Sequence, residues 1–191
     1  MASWALTPPL IHELIPIRVG YLRLPVQLVL GVAFLALLAQ LRIDIGPVPI
    51  TGQTLGVLLI GAAYGLKLGS LTMLLYLLLG GAGLGVFAGG AAGWSVLTGM
   101  TAGYLAGFVP AAALVGYLAQ RGWTQSAKGT MAAMLLGNMV IYLPGLGWLV
   151  QFASDWPTAL QWGLYPFIPG DVLKLIIAAS LLPPLTRYLS R

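Results

Sequence analysis

The sequence predicts an all-α integral membrane protein of about six transmembrane helices, on three observations: its composition, its long apolar runs and the distribution of its positive charges. Of 191 residues, 59% are hydrophobic and 7% are charged, whereas about a quarter of a soluble domain is charged because its surface must stay hydrated. Most of the apolar excess must therefore face lipid. The composition excludes a soluble enzyme.

Two residue counts narrow the chemistry further. The chain has no cysteine and a single histidine, which excludes disulfides, thiolate catalysis and metal sites built from thiolate or imidazole ligands. Its nine lysines and arginines are too few for a nucleic-acid groove. We therefore expect no cofactor, no metal and no nucleic-acid partner, and we expect membrane lipid to surround the chain.

Three helices are expected in the first half of the chain. Helix 1 (24–43) is an apolar run long enough to cross a hydrocarbon core of roughly 30 Å at 1.5 Å per residue. An irregular or re-entrant outward loop (44–54) follows, because its two prolines and two glycines disfavour a continued helix. Helix 2 (55–64) and helix 3 (68–84) then flank a short connection at Lys67.

Three more helices are expected in the second half. A glycine cluster ends helix 3, and the uncharged, glycine-rich segment 83–99 predicts a structured loop packed against protein, since lipid cannot satisfy a non-helical backbone. Helix 4 (100–119), helix 5 (130–152) and helix 6 (170–188) follow. The loops 44–54, 83–99 and 153–170 then meet on one side, which favours a binding cup over a pore.

Positive charges segregate across these six helices. An even number of helices places both termini on one side, together with seven of the nine cations: Arg18, Arg23, Lys67, Arg121, Lys128, Arg187 and Arg191. The opposite side has Arg42 and Lys174, so the positive-inside rule places both termini in the cytoplasm of a bacterial-type cell, with the chain in its cytoplasmic membrane. Residues 1–23 are expected to be a short cytoplasmic segment, and residues 24–191 a single membrane domain.

One acid and one base stand together at the predicted outward start of helix 6. Asp171 and Lys174 are three residues apart and therefore share one helical face. Ionisable residues within a membrane are functional candidates, because burying them without a partner is costly. Such a pair suits a ligand with N–H donors and a carbonyl, for example a cyclic urea. The equally weighted alternative is an acid that complements the helix dipole and a lysine that extends to the headgroups.

Neutral polar and aromatic side chains collect on the same side. Thr51, Gln53 and Thr54 could serve a ligand, or could equally satisfy the backbone of their own loop. Eight aromatic residues lie near outward helix ends or loops: Phe87, Trp94, Tyr104, Tyr142, Trp148, Trp156, Trp162 and Tyr165. Most are expected in the interfacial belt and a minority in a pocket.

Small residues give helix 1 a stripe that another helix could approach closely. The stripe consists of Gly31, Ala33, Ala36 and Ala39, and its alternative role is packing within the bundle. A partner protein is an attractive hypothesis because the chain has no G-x-x-x-x-G-K-[ST] motif for ATP hydrolysis, so another protein must supply the energy. An intramembrane hydrolase based on Ser95 lacks a base, since His12 lies on the wrong side.

Five ordered segments resemble the BioY family, the biotin-binding substrate-capture (S) components of energy-coupling factor (ECF) transporters. The resemblance runs from about Leu24 to the C-terminus. The segments are IGPVPITGQTLGVLLIGAAYG (45–65), LLYLLLGGAGLGVFAGG (74–90), GYLAGF (103–108), IYLPGLGWL (141–149) and PFIPGDVLK (166–174). As an ordered set they are far more specific than any single motif.

The resemblance implies a six-helix S component that captures biotin at its outward face. Such proteins work with a transmembrane coupling subunit and two cytoplasmic ATPase subunits. The P-G-D-x-x-K motif implies that Asp171 and Lys174 bind the polar groups of biotin. The P-I-T-x-Q-T motif places Thr51, Gln53 and Thr54 in the loop that covers the site.

The resemblance also bears on the small-residue stripe. It implies that Ala33 and Ala36 meet the coupling subunit. Four of the aromatic residues are candidate substrate contacts: Phe87, Trp94, Tyr104 and Tyr142. No residue is expected to be catalytic. The alternatives are capture of another vitamin or heterocycle and, more remotely, an intramembrane hydrolase using Ser95 or Asp171.

Overall fold

The computed structural model describes residues 9–14 and 20–189. Most of the expected N-terminal segment 1–23 lies outside the described residues, as do the two predicted cytoplasmic cations Arg18 and Arg191. The described helices are α1 (Ile11–Leu14), α2 (Gly20–Gln40), α3 (Gln53–Gly81), α4 (Trp94–Leu97), α5 (Ala102–Gln120), α6 (Ala127–Leu149), α7 (Trp156–Gly163) and α8 (Ile168–Leu189). Two short strands, β1 (Arg42–Ile43) and β2 (Ile50–Thr51), form an antiparallel hairpin.

The helix α3 reverses direction at Gly65 and consists of two antiparallel halves, 53–64 and 66–81. Gly65 has φ 74° and ψ −177°, a conformation that glycine adopts easily and other residues avoid. The side-chain amide of Gln53 donates to the hydroxyl of Tyr76 at 2.8 Å, although 23 residues of straight helix would separate them by roughly 35 Å. The two halves correspond to predicted helices 2 and 3, so the prediction of about six helices is confirmed.

Five stretches of the described chain are helical, long and apolar enough to cross a membrane, judged by length and composition. They are Tyr21–Gln40, Gln53–Gly81, Ala102–Gln120, Ala127–Leu149 and Trp156–Tyr188. Because the second stretch folds back at Gly65, the five stretches contain six long helical segments.

The predicted irregular loop between the first two long helices is confirmed, although its bounds differ from 44–54. Arg42 and Ile43 leave the first helix and pair with Thr51 and Ile50 across the proline-containing turn. The second helix begins at Gln53, so part of the predicted loop is helical. The backbone N–H of Gln53 donates to the Thr51 hydroxyl at 3.2 Å.

The predicted loop 153–170 contains a helix, α7, that the apolar pattern did not indicate. Asp155 caps it by accepting a hydrogen bond from the backbone N–H of Thr158 at 2.8 Å. Pro157 lies in its first turn, where a missing N–H costs nothing. An Asp followed by a proline two residues later is a helix-start signal that could have been recognised.

Loops collect at one end of the bundle, which we call the loop-rich end; it comprises residues 41–52, 82–101 and 150–167. Hydrogen bonds join them there: Tyr104 donates to the carbonyl of Gly163 at 2.9 Å, and Trp148 donates to the carbonyl of Gly99 at 2.9 Å. The opposite end, which we call the Gly65 end, comprises residues 65–67 and 121–126. There the Leu66 amide donates to the Gln120 side chain at 3.1 Å.

The cations of the described chain divide between these two ends. Five belong to the Gly65 end by their positions on the helices and connections: Arg23, Lys67, Arg121, Lys128 and Arg187. Arg42 and Lys174 belong to the loop-rich end. The segregation expected from the sequence therefore holds for every cation that the structure describes.

Candidate ligand-binding site

A cavity of about 220 Å³ lies at the loop-rich end, beneath the β-hairpin and between α3, α5 and segment 87–96. Its apolar lining includes Phe87, Leu105, Phe108 and Phe167, with Tyr104 beside them. Its polar lining consists of Arg42, Thr51, Gln53, Thr54 and Thr101. A mostly apolar cavity with a few convergent polar groups is the usual form of a small-molecule site.

Four of the predicted site residues line this cavity: Thr51, Gln53, Phe87 and Tyr104. Three others, Tyr142, Asp171 and Lys174, form a polar cluster beside it. The eighth, Trp94, lies outside it.

The cluster beside the cavity is centred on a largely buried ion pair. Lys174 Nζ lies 3.2 Å from Asp171 Oδ1, and the two side chains are 14% and 10% exposed. Tyr142 donates its hydroxyl hydrogen bond to the other carboxylate oxygen of Asp171. Each charge therefore has a partner, as the burial of ionised groups requires.

The ion pair meets the cavity wall through Thr54. Lys174 Nζ donates to Thr54 Oγ1 at 2.8 Å, and Thr54 lines the cavity. The ammonium group thus binds the neighbouring helix α3. The alternative interpretation expected it to extend to the headgroups instead. Asp171 does lie in the first turn of α8, so the helix dipole also favours its charge.

Three aromatic rings connect the cavity to the same ion pair. Tyr104 and Phe167 stack with ring centroids 6.4 Å apart and an interplanar angle of 16°. The ring of Tyr142 packs edge-on against both, at 6.2 Å from Tyr104 and 6.4 Å from Phe167. Tyr104 and Phe167 face the cavity, while Tyr142 touches Asp171 behind them.

Gln53 is the polar residue most firmly held in the cavity wall. Its side-chain amide donates to Tyr76 Oη at 2.8 Å, and its carbonyl oxygen accepts from Thr51 Oγ1 at 3.1 Å. Gln53 is 6% exposed and Tyr76 is fully buried. The neutral polar residues of the predicted loop therefore bind one another as well as lining the cavity, which combines the two interpretations that the sequence left open.

Arg42 lies at the cavity mouth, and sequence reasoning gave it no role. Its Nε donates to Asp44 at 2.6 Å, and its Nη1 approaches the carbonyl of Ala88 at 3.5 Å. Its isolation as one of two cations on the predicted outward side was the signal available.

Phe108 and Phe167 were also missed. Phe108 is one helical turn after Tyr104 and so shares its face, which could have been read from the sequence. Phe167 precedes the Pro-Gly-Asp motif by two residues, and its approach to Tyr104 depends on the packing of α8.

The other candidate residues lie away from the cavity. Trp94 is 71% exposed and borders a separate apolar groove with Leu78 and Leu97. Ser95 is exposed on the same short helix, α4. Among the described residues, no group of three or more His, Asp or Glu side chains could hold a metal ion.

The small-residue stripe of α2 does not form a single face. Gly31 and Ala39 are buried against the bundle, Ala36 is partly buried and Ala33 is exposed. Large apolar side chains surround Ala33 on the open surface, among them Leu30, Phe34 and Leu37.

The fold and the cavity define a multi-pass membrane protein with a small-molecule site at one end of a helical bundle. A family comparison then identifies it more closely. The chain belongs to the BioY family, because the sequence model of that family matches residues 14–191.

Named relatives and a solved structure agree with this membership. "Biotin transporter BioY" of Rhizobium etli is 38% identical over 154 residues, covering 77% of this chain and 82% of the relative. "Biotin transporter BioY" of Thermotoga maritima is 38% identical over 156 residues, covering 80% of this chain and 91% of the relative. The crystal structure of the S-component for biotin from an ECF-type ABC transporter superposes with a TM-score of 0.77 at 28% identity, covering 90% of this chain and 94% of that one. The names describe transporters, which removes support from the hydrolase alternative.

Proposed function

We propose that this protein captures biotin in the cavity at its loop-rich end and delivers it across the membrane as the S component of an ECF-type transporter. The observation that carries the proposal is the largely buried Asp171–Lys174 pair, joined to a mostly apolar cavity by Thr54 and by the aromatic residues. The names of the relatives and the structural match support biotin as the ligand.

The chemistry of biotin matches this arrangement group by group. Its cyclic urea has two N–H donors and a carbonyl acceptor, which suit a carboxylate and an ammonium placed side by side. The thioether ring fused to that urea is apolar and suits the rings of Tyr104 and Phe167. The carboxylate of biotin suits the guanidinium of Arg42 at the mouth. In this proposal Thr51, Gln53, Phe87 and Tyr142 complete or support the pocket, and Trp94 has no contact with the ligand.

Equilibrium binding of biotin to the purified protein tests the proposal. We expect tight binding by the parent and a loss of about 10- to 100-fold in Asp171→Asn and in Lys174→Ala, because hydrogen bonds to charged groups contribute about 1.5–3 kcal/mol each. Asp155→Asn is the matched control, since Asp155 is an exposed carboxylate that caps α7 and does not line the cavity. Binding as tight in both cluster variants as in the parent would remove the proposed site.

Competition separates biotin from other ligands. If the protein captures another vitamin or heterocycle, that compound will displace bound biotin from the parent at lower concentration than biotin itself. A panel of vitamins titrated against labelled biotin gives this ranking. Biotin as the strongest competitor supports the proposal.

The transport partners follow from the same proposal. With both termini in the cytoplasm, the Gly65 end faces the coupling subunit and the two ATPase subunits, which supply the energy. Within the single domain 24–191, the open face of α2 around Ala33 and Ala36 would contact the coupling subunit.

Biotin uptake should depend on the coupling module and fall in Ala33→Trp, with biotin binding unchanged. Leu143→Trp, on the exposed face of α6, is the control.

A further inference from the structure

Three consecutive backbone carbonyls in the segment 86–88 each accept a hydrogen bond from a side chain elsewhere in the fold. Tyr76 donates to the Val86 carbonyl at 2.8 Å, Gln40 to the Phe87 carbonyl at 3.3 Å, and Arg42 approaches the Ala88 carbonyl at 3.5 Å. A non-helical segment in a membrane protein needs such partners, because lipid offers none. The segment matters for binding since Phe87 and Ala88 line the cavity.

Tyr76 differs from the other two donors because it is fully buried, whereas Gln40 and Arg42 are exposed. Its hydroxyl accepts a hydrogen bond from the side-chain amide of Gln53 at 2.8 Å and donates one to the backbone carbonyl of Val86. Gln53 in turn accepts from Thr51. Thr51 and Arg42 are paired across the β-hairpin. The cavity wall is therefore a closed ring of contacts in which Tyr76 is the innermost member.

The aromatic ring of Tyr76 also packs against the phenyl ring of Phe87 and helps to orient it. Their centroids are 5.3 Å apart at an interplanar angle of 81°, an edge-to-face contact of the favourable kind. Phe87 lies directly against Gly80, where a Cβ atom would collide with the phenyl ring. Phe87 is 1% exposed, and both contacts help to hold its ring in place.

We infer that Tyr76 is a positioning residue for the ligand cavity: its hydroxyl holds the Gln53 side chain and the Val86–Ala88 backbone in the arrangement that receives the ligand. Tyr76 does not line the cavity and acts through Gln53 and Phe87. A phenylalanine would fill the same space, but only a hydroxyl can accept from Gln53 and donate to Val86 simultaneously. The inference rests on the proposed function for the identity of the ligand.

The variant Tyr76→Phe isolates the hydroxyl. We expect biotin binding to weaken about 5- to 10-fold, the equivalent of one lost hydrogen bond of ordinary strength. Tyr64→Phe is the matched control, because the Tyr64 hydroxyl also donates to a buried backbone carbonyl, that of Gln27 at 2.9 Å, but toward the Gly65 end. The control should lose comparable thermal stability and keep the parent's affinity for biotin.

A double-mutant cycle distinguishes positioning from a general loss of stability. If Tyr76 acts through Gln53, most of the effect of Tyr76→Phe on the dissociation constant disappears in a Gln53→Ala background, since interacting residues are non-additive. The same fold-change in both backgrounds would overturn the inference. So would a dissociation constant within twofold of the parent's in Tyr76→Phe alone.

Hydrogen exchange keeps the inference testable if the ligand is not biotin. The amides of Phe87 and Gly90 donate to the carbonyls of Ala91 and Phe87 at 3.1 and 3.0 Å, so both should be protected in the parent. Tyr76→Phe should exchange faster across 84–93, and Tyr64→Phe should not. A parent that fails to bind biotin refutes the proposed function, whereas unchanged exchange in Tyr76→Phe refutes the positioning role.

Discussion

The first half of α3 and the helix α5 are in backbone contact near the Gly65 end and separate toward the loop-rich end. Near the Gly65 end, a Cβ atom on Gly61 would lie 2.7 Å from the Ala112 carbonyl oxygen, and one on Gly116 would lie 2.6 Å from the Leu66 nitrogen. Toward the loop-rich end, Gln53 and Thr54 of α3 and Tyr104 and Phe108 of α5 line the cavity instead.

This difference shows how one pair of helices forms both a close backbone contact and a binding site. Glycines allow backbone approach at one end, and large side chains hold the helices apart at the other. The two helices meet at Gly65 and Gly116, a contact that we call the vertex, and the cavity lies toward their other ends. Substitutions at the vertex should affect folding, and substitutions around the cavity should affect binding.

The largest expected effect is at the vertex. In Gly116→Ala the added methyl group meets only backbone atoms of Gly65 and Leu66, which cannot move aside as a flexible side chain could. We expect a destabilisation of about 3 kcal/mol, at the upper end of the usual range for overpacking. Thermal unfolding in detergent measures it.

Gly147→Ala is the matched control for this substitution. Gly147 lies in α6 and a Cβ there has no neighbour within 4 Å, so the parent's stability should be kept or slightly raised. Equal unfolding temperatures for Gly116→Ala and the parent would show that the two helices are not in contact at the vertex.

An intermediate effect is expected at the cavity mouth. Removing the guanidinium in Arg42→Ala should weaken biotin binding about 10-fold, as expected for one charge-assisted hydrogen bond. The same substitution should change the affinity for biotin amide, which has no carboxylate, by less than about twofold. Parallel titrations of the two ligands check this. An equal loss for both would place the carboxylate elsewhere.

The smallest effect is expected on the surface of the loop-rich end. Hydrogen bonds from Thr158 hold the pKa of Asp155 below its ordinary value, so its charged form stabilises the start of α7. That contribution is present above the ordinary pKa and is lost as the pH falls through the lowered one. We expect the parent to unfold at a slightly higher temperature than Asp155→Asn near pH 6, and the difference to shrink as the pH is lowered below the ordinary pKa of an aspartate carboxyl.

Asparagine at position 155 can still cap the helix but cannot titrate. A constant difference between the two proteins across this pH range would mean that the carboxylate charge has no role. Biotin binding should be the same in both at neutral pH.

The helical architecture could be predicted from the sequence because lipid imposes strong rules on composition and length. The apolar runs, the reversal near Lys67 and the segregation of cations all followed from the residues. The β-hairpin at Arg42 and Thr51 was not predicted, since two-residue strands have no periodicity to detect. The helix α7 was not predicted, because it has only eight residues and is indicated by a capping signal, which hydropathy does not show.

The candidate site was partly predictable for a related reason. Asp171 and Lys174 stood out because charges are scarce, and the structure pairs them. Tyr76 and Phe167 could not be found, since aromatic residues are common in this chain and only tertiary packing distinguishes these two. The placement of Trp94 outside the cavity depends on how segment 82–101 folds, which its glycines leave open in the sequence.

A crystal structure of the biotin complex tests the central claim most directly. The account predicts that the fused rings of biotin lie against Tyr104 and Phe167 in the cavity. The urea group should be within hydrogen-bond distance of Asp171, Lys174 or Thr54, and the carboxylate should point toward Arg42. Biotin bound in the groove beside Trp94, or at the Gly65 end, would contradict the account.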